Sequence, residues 1–447
     1  MAVRLTWATA SFGAIQLIRM VNQVVLARLL APSLFGIMLI VNSVRTGVEL
    51  LSDVGISQNI ISNEQGHTED FYDTAWTLKA ARGIVLGAIC FFLAGTLAQF
   101  FGKPELKTVL PVAALIFVFT GFESASNALL QKRKLVARVS IVDVTVALLS
   151  MVAHIILALI TPTIWALVLG SIFMSAFALV ASYVIIPGAR HRIFIDGASA
   201  REILVFGKWI FFSSAVYFFA MNFDRLYFAK QIPLGELGVY SIARSLSDPI
   251  SNVVIRATNM VVFPTVAAIR VGDPELRARL LQGRRSMLAF VAVGLAAFVA
   301  LSDVVVRHLY DPRYSAAAAF LPLLLVGVWV SILTTVNDSV MLGTARPAYP
   351  AFANAAKLAT FVIGVPIAFH VGGLIAALLI LIAGEAVRYL VLWQLARRRH
   401  LGFVRDDLAL TIVFFGSVLL FRKILWAIGL TGDLQSLFPL LADLRVV

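Results

Sequence analysis

The sequence has little charge, a single cysteine and no long polar stretch. Of its 447 residues only 14% are Asp, Glu, Lys or Arg, while 60% are hydrophobic. A soluble chain carries about a quarter charged residues, so a soluble globular protein is excluded. Cys90 is the only cysteine, which removes intrachain disulfides and cysteine-based metal sites. No ten-residue runs of strict alternation occur, as a transmembrane β-barrel would need. There is no nucleophile motif, no His/Cys/Asp set at metal-ligand spacing and no phosphate-cradling Gly-rich loop. These absences argue against an enzyme, and no cofactor is expected.

Long apolar windows fill the chain instead, with a mean hydropathy of +0.92. Each is long enough to cross a bilayer core of about 30 Å as a helix. The chain reads as an all-α polytopic membrane protein with twelve spans. They lie near 7–30, 34–62, 76–101, 108–130, 139–160, 164–187, 203–230, 235–266, 286–309, 316–342, 350–369 and 372–396. A thirteenth near 407–429 is left open. The opening segment holds Gln16, Arg19 and Asn22 and lacks a cleavage site, so it reads as the first span rather than a signal peptide.

The net charge of +13 does not call for nucleic acid. Lys132, Arg133, Lys134 and Arg138, then Arg190, Arg192 and Arg201, then the arginines of 270–285 and Arg397 to Arg399 all follow even-numbered spans. Positive loops remain in the cytoplasm, so the N-terminus is expected inside. The organisation follows: 1–188 a six-helix bundle, 189–202 a basic cytoplasmic linker, 203–400 a second six-helix bundle, and 401–447 an extension.

Ionisable residues inside spans are the candidates for function, because each costs about 2.5–3.5 kcal/mol at a bilayer centre. Asn42, Arg45, Glu49 and Asp53 recur at helical spacing along the second span, and Arg244, Asp248, Asn252 and Arg256 along the eighth. Gln16, Arg19, Asn22 and Gln23 share a face of the first, while Tyr217, Asp224 and Arg225 lie in the seventh and Glu385 and Arg388 in the twelfth. Pairing on one helix (Arg45 with Glu49, Arg244 with Asp248, Glu385 with Arg388) is the structural alternative. Arg19 and Arg256 have no partner at such spacing, and arginine suits a phosphate through bidentate bonds.

The first two spans also recur about 202 residues later. Gly238-Val239 answers Gly36-Ile37, Ala229-Lys230 answers Ala27-Arg28, and Asp224 stands opposite Asn22. Spans 1, 2, 7 and 8 therefore correspond, as in transporters built from parallel repeats, and are expected to line one cavity.

The stretch Ala27-Arg28-Leu29-Leu30-Ala31-Pro32-Ser33-Leu34-Phe35-Gly36, followed by Leu51-Ser52-Asp53-Val54-Gly55-Ile56, resembles the opening of the Wzx-type oligosaccharide flippases. Asp224-Arg225, Leu237 to Ala243, Val262-Phe263-Pro264 and the turn Tyr310 to Tyr314 are similar to the second half of the same family. That family belongs to the multidrug/oligosaccharidyl-lipid/polysaccharide exporter superfamily. The resemblance implies two six-helix bundles related by a two-fold axis along the membrane normal, moving undecaprenyl-pyrophosphate-linked sugar repeat units across the inner membrane. It implies a cationic cavity, for which Arg19, Arg45, Arg225, Arg244 and Arg256 are candidates, with Asn22 and Asn252 beside them. Ion coupling, by H+ or Na+, would fall to Glu49, Asp53 or Asp224. A polysaccharide polymerase and export machinery are the implied partners. The alternatives are a multidrug and toxin extruder of the same superfamily and a non-transporting subunit of a polysaccharide synthesis complex.

Overall fold

The computed structural model describes residues 2–53, 55–62, 68–126, 128, 130, 136–184, 191–268, 274–343, 348–397 and 402–432. Among these residues every regular element is helical. In chain order they are α1 (Ala2–Leu29), α2 (Pro32–Leu50), α3 (Ile56–Ser62), α4 (Glu69–Phe101), α5 (Leu106–Ala113), α6 (Leu115–Phe122), α7 (Val136–Ile160) and α8 (Ile164–Val184). There follow α9 (Gly197–Gln231), α10 (Leu234–Ala268), α11 (Pro274–Leu309), a 3-10 turn at Pro312–Tyr314, α12 (Ala317–Gly343), α13 (Ala348–Arg397) and α14 (Val404–Ala427). Nine helices among the described residues are long and apolar enough to cross a membrane.

The chain forms two compact units, Met1–Phe218 with Arg225–Gly238, and Phe219–Asp224 with Val239–Val447. Helix α13 is 50 residues long, about 75 Å at 1.5 Å per residue, too long for one crossing. It leaves helical geometry at Gly372 and Gly373, the turn expected between the eleventh and twelfth spans.

Two expected spans are not single helices. The second ends at Leu50, where Ser52 Oγ donates to the Val48 carbonyl at 2.5 Å and Asp53 Oδ1 accepts from the Gly55 amide at 2.9 Å. Gly55 takes a left-handed φ of 65°. This local Asx turn competes with the helical ladder, and α3 begins beyond it. Asp53 is therefore a turn residue and drops off the polar stripe expected along that span. Helix α3 packs Ile56 and Ile60 on Phe71 and Ala75 of α4, beside Ala125 and Ile203. The fourth span is divided at Ala114 into α5 and α6 and ends at Phe122.

Within the first unit, α2 meets the first turn of α10 almost backbone to backbone. A Cβ on Gly36 would stand 2.2 Å from the Leu234 carbonyl oxygen, and one on Gly238 only 1.8 Å from that of Pro32. Residues 32 and 36 correspond to 234 and 238 under the 202-residue repeat, so one contact is made twice, in reciprocal form.

The open question of the thirteenth span resolves to a helix, α14, joined to α11 by two buried ion pairs. Arg284 pairs with Asp407 at one end. At the other, Arg422 Nη1 lies 2.8 Å from Asp303 Oδ1 and donates to the Ala300 carbonyl at 2.9 Å. The lower numbers pair together and the higher numbers pair together, so the two helices run parallel. Fifteen residues separate the pairs on α14 and nineteen on α11, about 22 and 28 Å of rise. Trp329 of α12 stacks on Phe414 of α14, centroids 5.0 Å apart.

Gly238→Ala and Gly36→Ala should each lower the thermal unfolding temperature in detergent, at an overpacking cost of about 1–3 kcal/mol or more. Gly95→Ala, with nothing within 4 Å of its added Cβ inside helix α4, should not lower it, and the better helix propensity of alanine should raise it slightly.

Candidate functional site

In the first unit the polar residues gather along α1, α2 and α4. Arg19 is exposed and lies in the electrostatic field of Arg45 and Asp143. Arg45 of α2 is half-buried, and its Nε has no hydrogen-bond partner. Asn22, one turn beyond Arg19, also has an unpartnered buried Oδ1. Like charges repel, so an anion that neutralised both would be stabilised by each. Glu49 is half-buried, and its carbonyl accepts from Arg82 Nη2 at 2.6 Å. Arg82 also reaches Ser52 Oγ at 3.0 Å, closing the C-terminal end of α2.

Nearby, Lys79 pairs with Glu123 at 3.4 Å. The segment expected as a free basic linker is tied to α4. Arg192 lies 3.6 Å from Asp73, the Phe194 amide donates to Thr77 Oγ1 at 3.1 Å, and the Asp196 amide donates to Thr74 Oγ1 at 2.9 Å. His191 stacks between Tyr72 and Trp76, with Nε2 2.7 Å from Ser124 Oγ. Burial lowers its pKa from the ordinary 6.5.

The second unit holds a denser network. The Tyr240 hydroxyl donates to Asp224, and Arg244 Nη2 lies 2.6 Å from the same Oδ2. Arg244 also meets Asp248 at 3.4 Å. Across α13, Lys357 Nζ lies 2.6 Å from Glu385 Oε1 and 3.6 Å from the Met221 sulfur. Arg388 reaches Glu385 Oε2 at 3.6 Å and bonds Asp338 of α12. The field of Arg244 extends to Lys357 and Glu385. Lys357 is only 3% exposed, and a buried ammonium persists only when paired.

The spacing-based pairs Arg244–Asp248 and Glu385–Arg388 do form, whereas Arg45 is not paired to Glu49 among the described residues. Asp224 and Arg244, assigned to different roles from sequence, meet each other. Arg225 is half-buried and Asn252 is exposed. Arg256 belongs to α10, but its side chain lies outside the described residues. Lys79, Arg82, Lys357 and Asp338 carried the weakest sequence signal. Lys79 and Arg82 stand at the start of the expected third span. Lys357 and Asp338 find their partners on other turns or helices, beyond the reach of same-helix spacing. His154 is a buried histidine whose Nδ1 meets the Ser150 carbonyl at 2.8 Å.

A family model described as "Polysaccharide biosynthesis protein" matches residues 25–319. The chain belongs to this family. It is similar to the lipopolysaccharide biosynthesis protein WzxC of Escherichia coli (strain K12), 23% identical over 403 residues, covering 86% of this chain and 79% of that one. It is 23% identical over 277 residues to the succinoglycan biosynthesis transport protein ExoT of Rhizobium meliloti (strain 1021), covering 61% and 54% of the two chains. Among solved structures, the lipid II flippase MurJ in an inward closed conformation matches with a TM-score of 0.76 at 13% identity, over 99% of this chain and 97% of that one. An inward-facing multidrug resistance MATE transporter of the MOP superfamily matches at 0.63 and 12% identity, over 92% and 98%. The family member thus has the helical fold that these transporters share.

Replacing Lys357 with Met should destabilise the protein by up to about 3–5 kcal/mol, because buried Glu385 loses its nearer cation and keeps only Arg388 at 3.6 Å. The double variant Lys357→Met/Glu385→Gln should regain most of this in thermal unfolding. Because the folded His191 resists protonation, its contribution to stability is present above pH 6.5 and is lost as pH falls below that value. Hydrogen-exchange protection factors of 192–196, corrected for the intrinsic pH dependence of exchange, should fall on acidification, and His191→Gln should flatten that dependence.

Proposed function

We propose that this protein is a flippase for lipid-linked oligosaccharides. It moves undecaprenyl-pyrophosphate-linked repeat units from the inner to the outer leaflet of the bacterial inner membrane by alternating access, for surface polysaccharide synthesis. The observation that carries the reading is the repulsive field between Arg19 of α1 and Arg45 of α2 in the first unit, together with the unpartnered Arg45 Nε and Asn22 Oδ1. An exposed arginine within a span is costly against hydrocarbon, so both face an aqueous cavity and receive the pyrophosphate there. Asn22 completes this anion site. Family membership supports the reading, as do relatives named for lipopolysaccharide and succinoglycan biosynthesis and a fold matching a lipid II flippase.

The N-terminus is cytoplasmic, as the arginine-rich loops require. The protein performs no bond chemistry of its own; a polysaccharide polymerase and export machinery take up the flipped product. An ion gradient drives the cycle, with Glu49, Asp53 and Asp224 as the candidate groups. Asp224 is the most consequential of the three, because protonating it would release Arg244 from its strongest partner. A multidrug extruder for cationic compounds fits less well, since Arg19 and Arg45 would repel such cargo.

Deletion in the source bacterium should abolish surface polysaccharide and accumulate unflipped lipid-linked repeat units at the inner membrane. Arg19→Ala and Arg45→Ala should reproduce both effects in a protein that inserts normally. Normal polysaccharide together with raised sensitivity to cationic drugs would transfer the protein to the extruder class.

A further inference from the structure

A pocket of about 460 Å³ opens between the end of α13 and the start of α14, lined by Trp393, Arg397, Gly402, Phe403, Arg405 and Asp406 among others. Its size falls within the range of about 300–1,000 Å³ usual for small-molecule sites. It lies entirely within the second unit.

The charge around it is positive. Arg397 and Arg405 are both exposed, and Arg397 stands over the Trp393 ring at 5.7 Å. The one lining carboxylate, Asp406, is already engaged by Arg285, whose Nε donates to it at 2.6 Å. Behind the pocket wall, Arg284 lies over the Phe403 ring at 4.9 Å. Arg284 is only 3% exposed, and its Nε and Nη1 have no hydrogen-bond partner. Asp407 answers one of its nitrogens. Two arginines, Arg397 and Arg405, therefore line the opening against one aspartate that Arg285 already neutralises. The first turn of α14 adds amide donors, since its N-cap residue Phe403 offers no side-chain bond, and such a helix end favours an anion.

What lies above the pocket specifies the anion. From Leu408 an exposed apolar stripe runs up α14 through Ile412, Phe415 and Leu419, one helical turn at a time. A free phosphate would use the cationic pocket and leave that stripe to bulk hydrocarbon. A membrane phospholipid uses both, with its phosphate against Arg397 and Arg405 and its acyl chains along α14. The arginine-rich side of the membrane is where anionic headgroups and basic pockets meet, and Trp393 suits the headgroup level.

We propose that this pocket is a binding site for the phosphate headgroup of an anionic membrane phospholipid. The proposal does not depend on which substrate the protein moves.

The test uses the full chain in nanodiscs of phosphatidylglycerol or phosphatidylcholine, with retained lipid counted by native mass spectrometry after transfer to detergent. Wild type should retain phosphatidylglycerol preferentially. Arg397→Gln/Arg405→Gln should reduce that retention about tenfold or more, since each arginine contributes separately to the attraction. Both side chains are exposed, so thermal unfolding in detergent should be unchanged, and Arg397→Lys/Arg405→Lys should restore part of the retention. Equal retention of the two lipids, or no loss in the glutamine variant, overturns the proposal. Displacement of the lipid by millimolar inorganic phosphate overturns it in favour of a soluble anion.

Discussion

A charge taken out of water must be answered at once by an opposite charge, and the interior of this protein is built around that requirement. Lys357, Glu385, Arg388 and Asp338 form a chain in which each member is stabilised by its neighbour. Asp224, Arg244 and Asp248 form another, and Arg284–Asp407 and Arg422–Asp303 hold the last helix in place. Swapping such pairs for apolar residues is often neutral, whereas breaking one is costly. The networks therefore fix which helices adjoin and in which direction they run, beyond any stability they add. The parallel course of α11 and α14 follows from two such pairs alone.

Against this background of matched charge, Arg19 and Arg45 stand out because the field between them is repulsive, with Asp143 the opposing charge that Arg19 also feels. A protein that pairs Lys357 so closely has the means to neutralise an arginine, yet the Nε of Arg45 has no hydrogen-bond partner. In the second unit, by contrast, Arg244 holds both Asp224 and Asp248.

Hydropathy made the helices legible, because it is an additive property of local sequence. The breaks were harder. Asp53 fits the helical spacing of Arg45 and Glu49, yet a side-chain acceptor two residues before Gly55 ends the helix first. Pairs within one helix, such as Arg244–Asp248, could be read from spacing. Lys357–Glu385 and Arg388–Asp338 could not, since their partners are brought together only by packing. The same holds for the 191–196 segment, whose arginines read as solvated charge while its backbone is held by Asp73, Thr74 and Thr77.

The reciprocal approach of Gly36 and Gly238 has the form that a homodimer gives to a contact across its own two-fold axis, where one patch meets its copy. In such a homodimer a single glycine serves both sides of the contact, so any mutation there strikes twice. In this chain the two positions are encoded separately, and both are glycine. A side chain added at one of them crowds one half of the contact and leaves the other half intact.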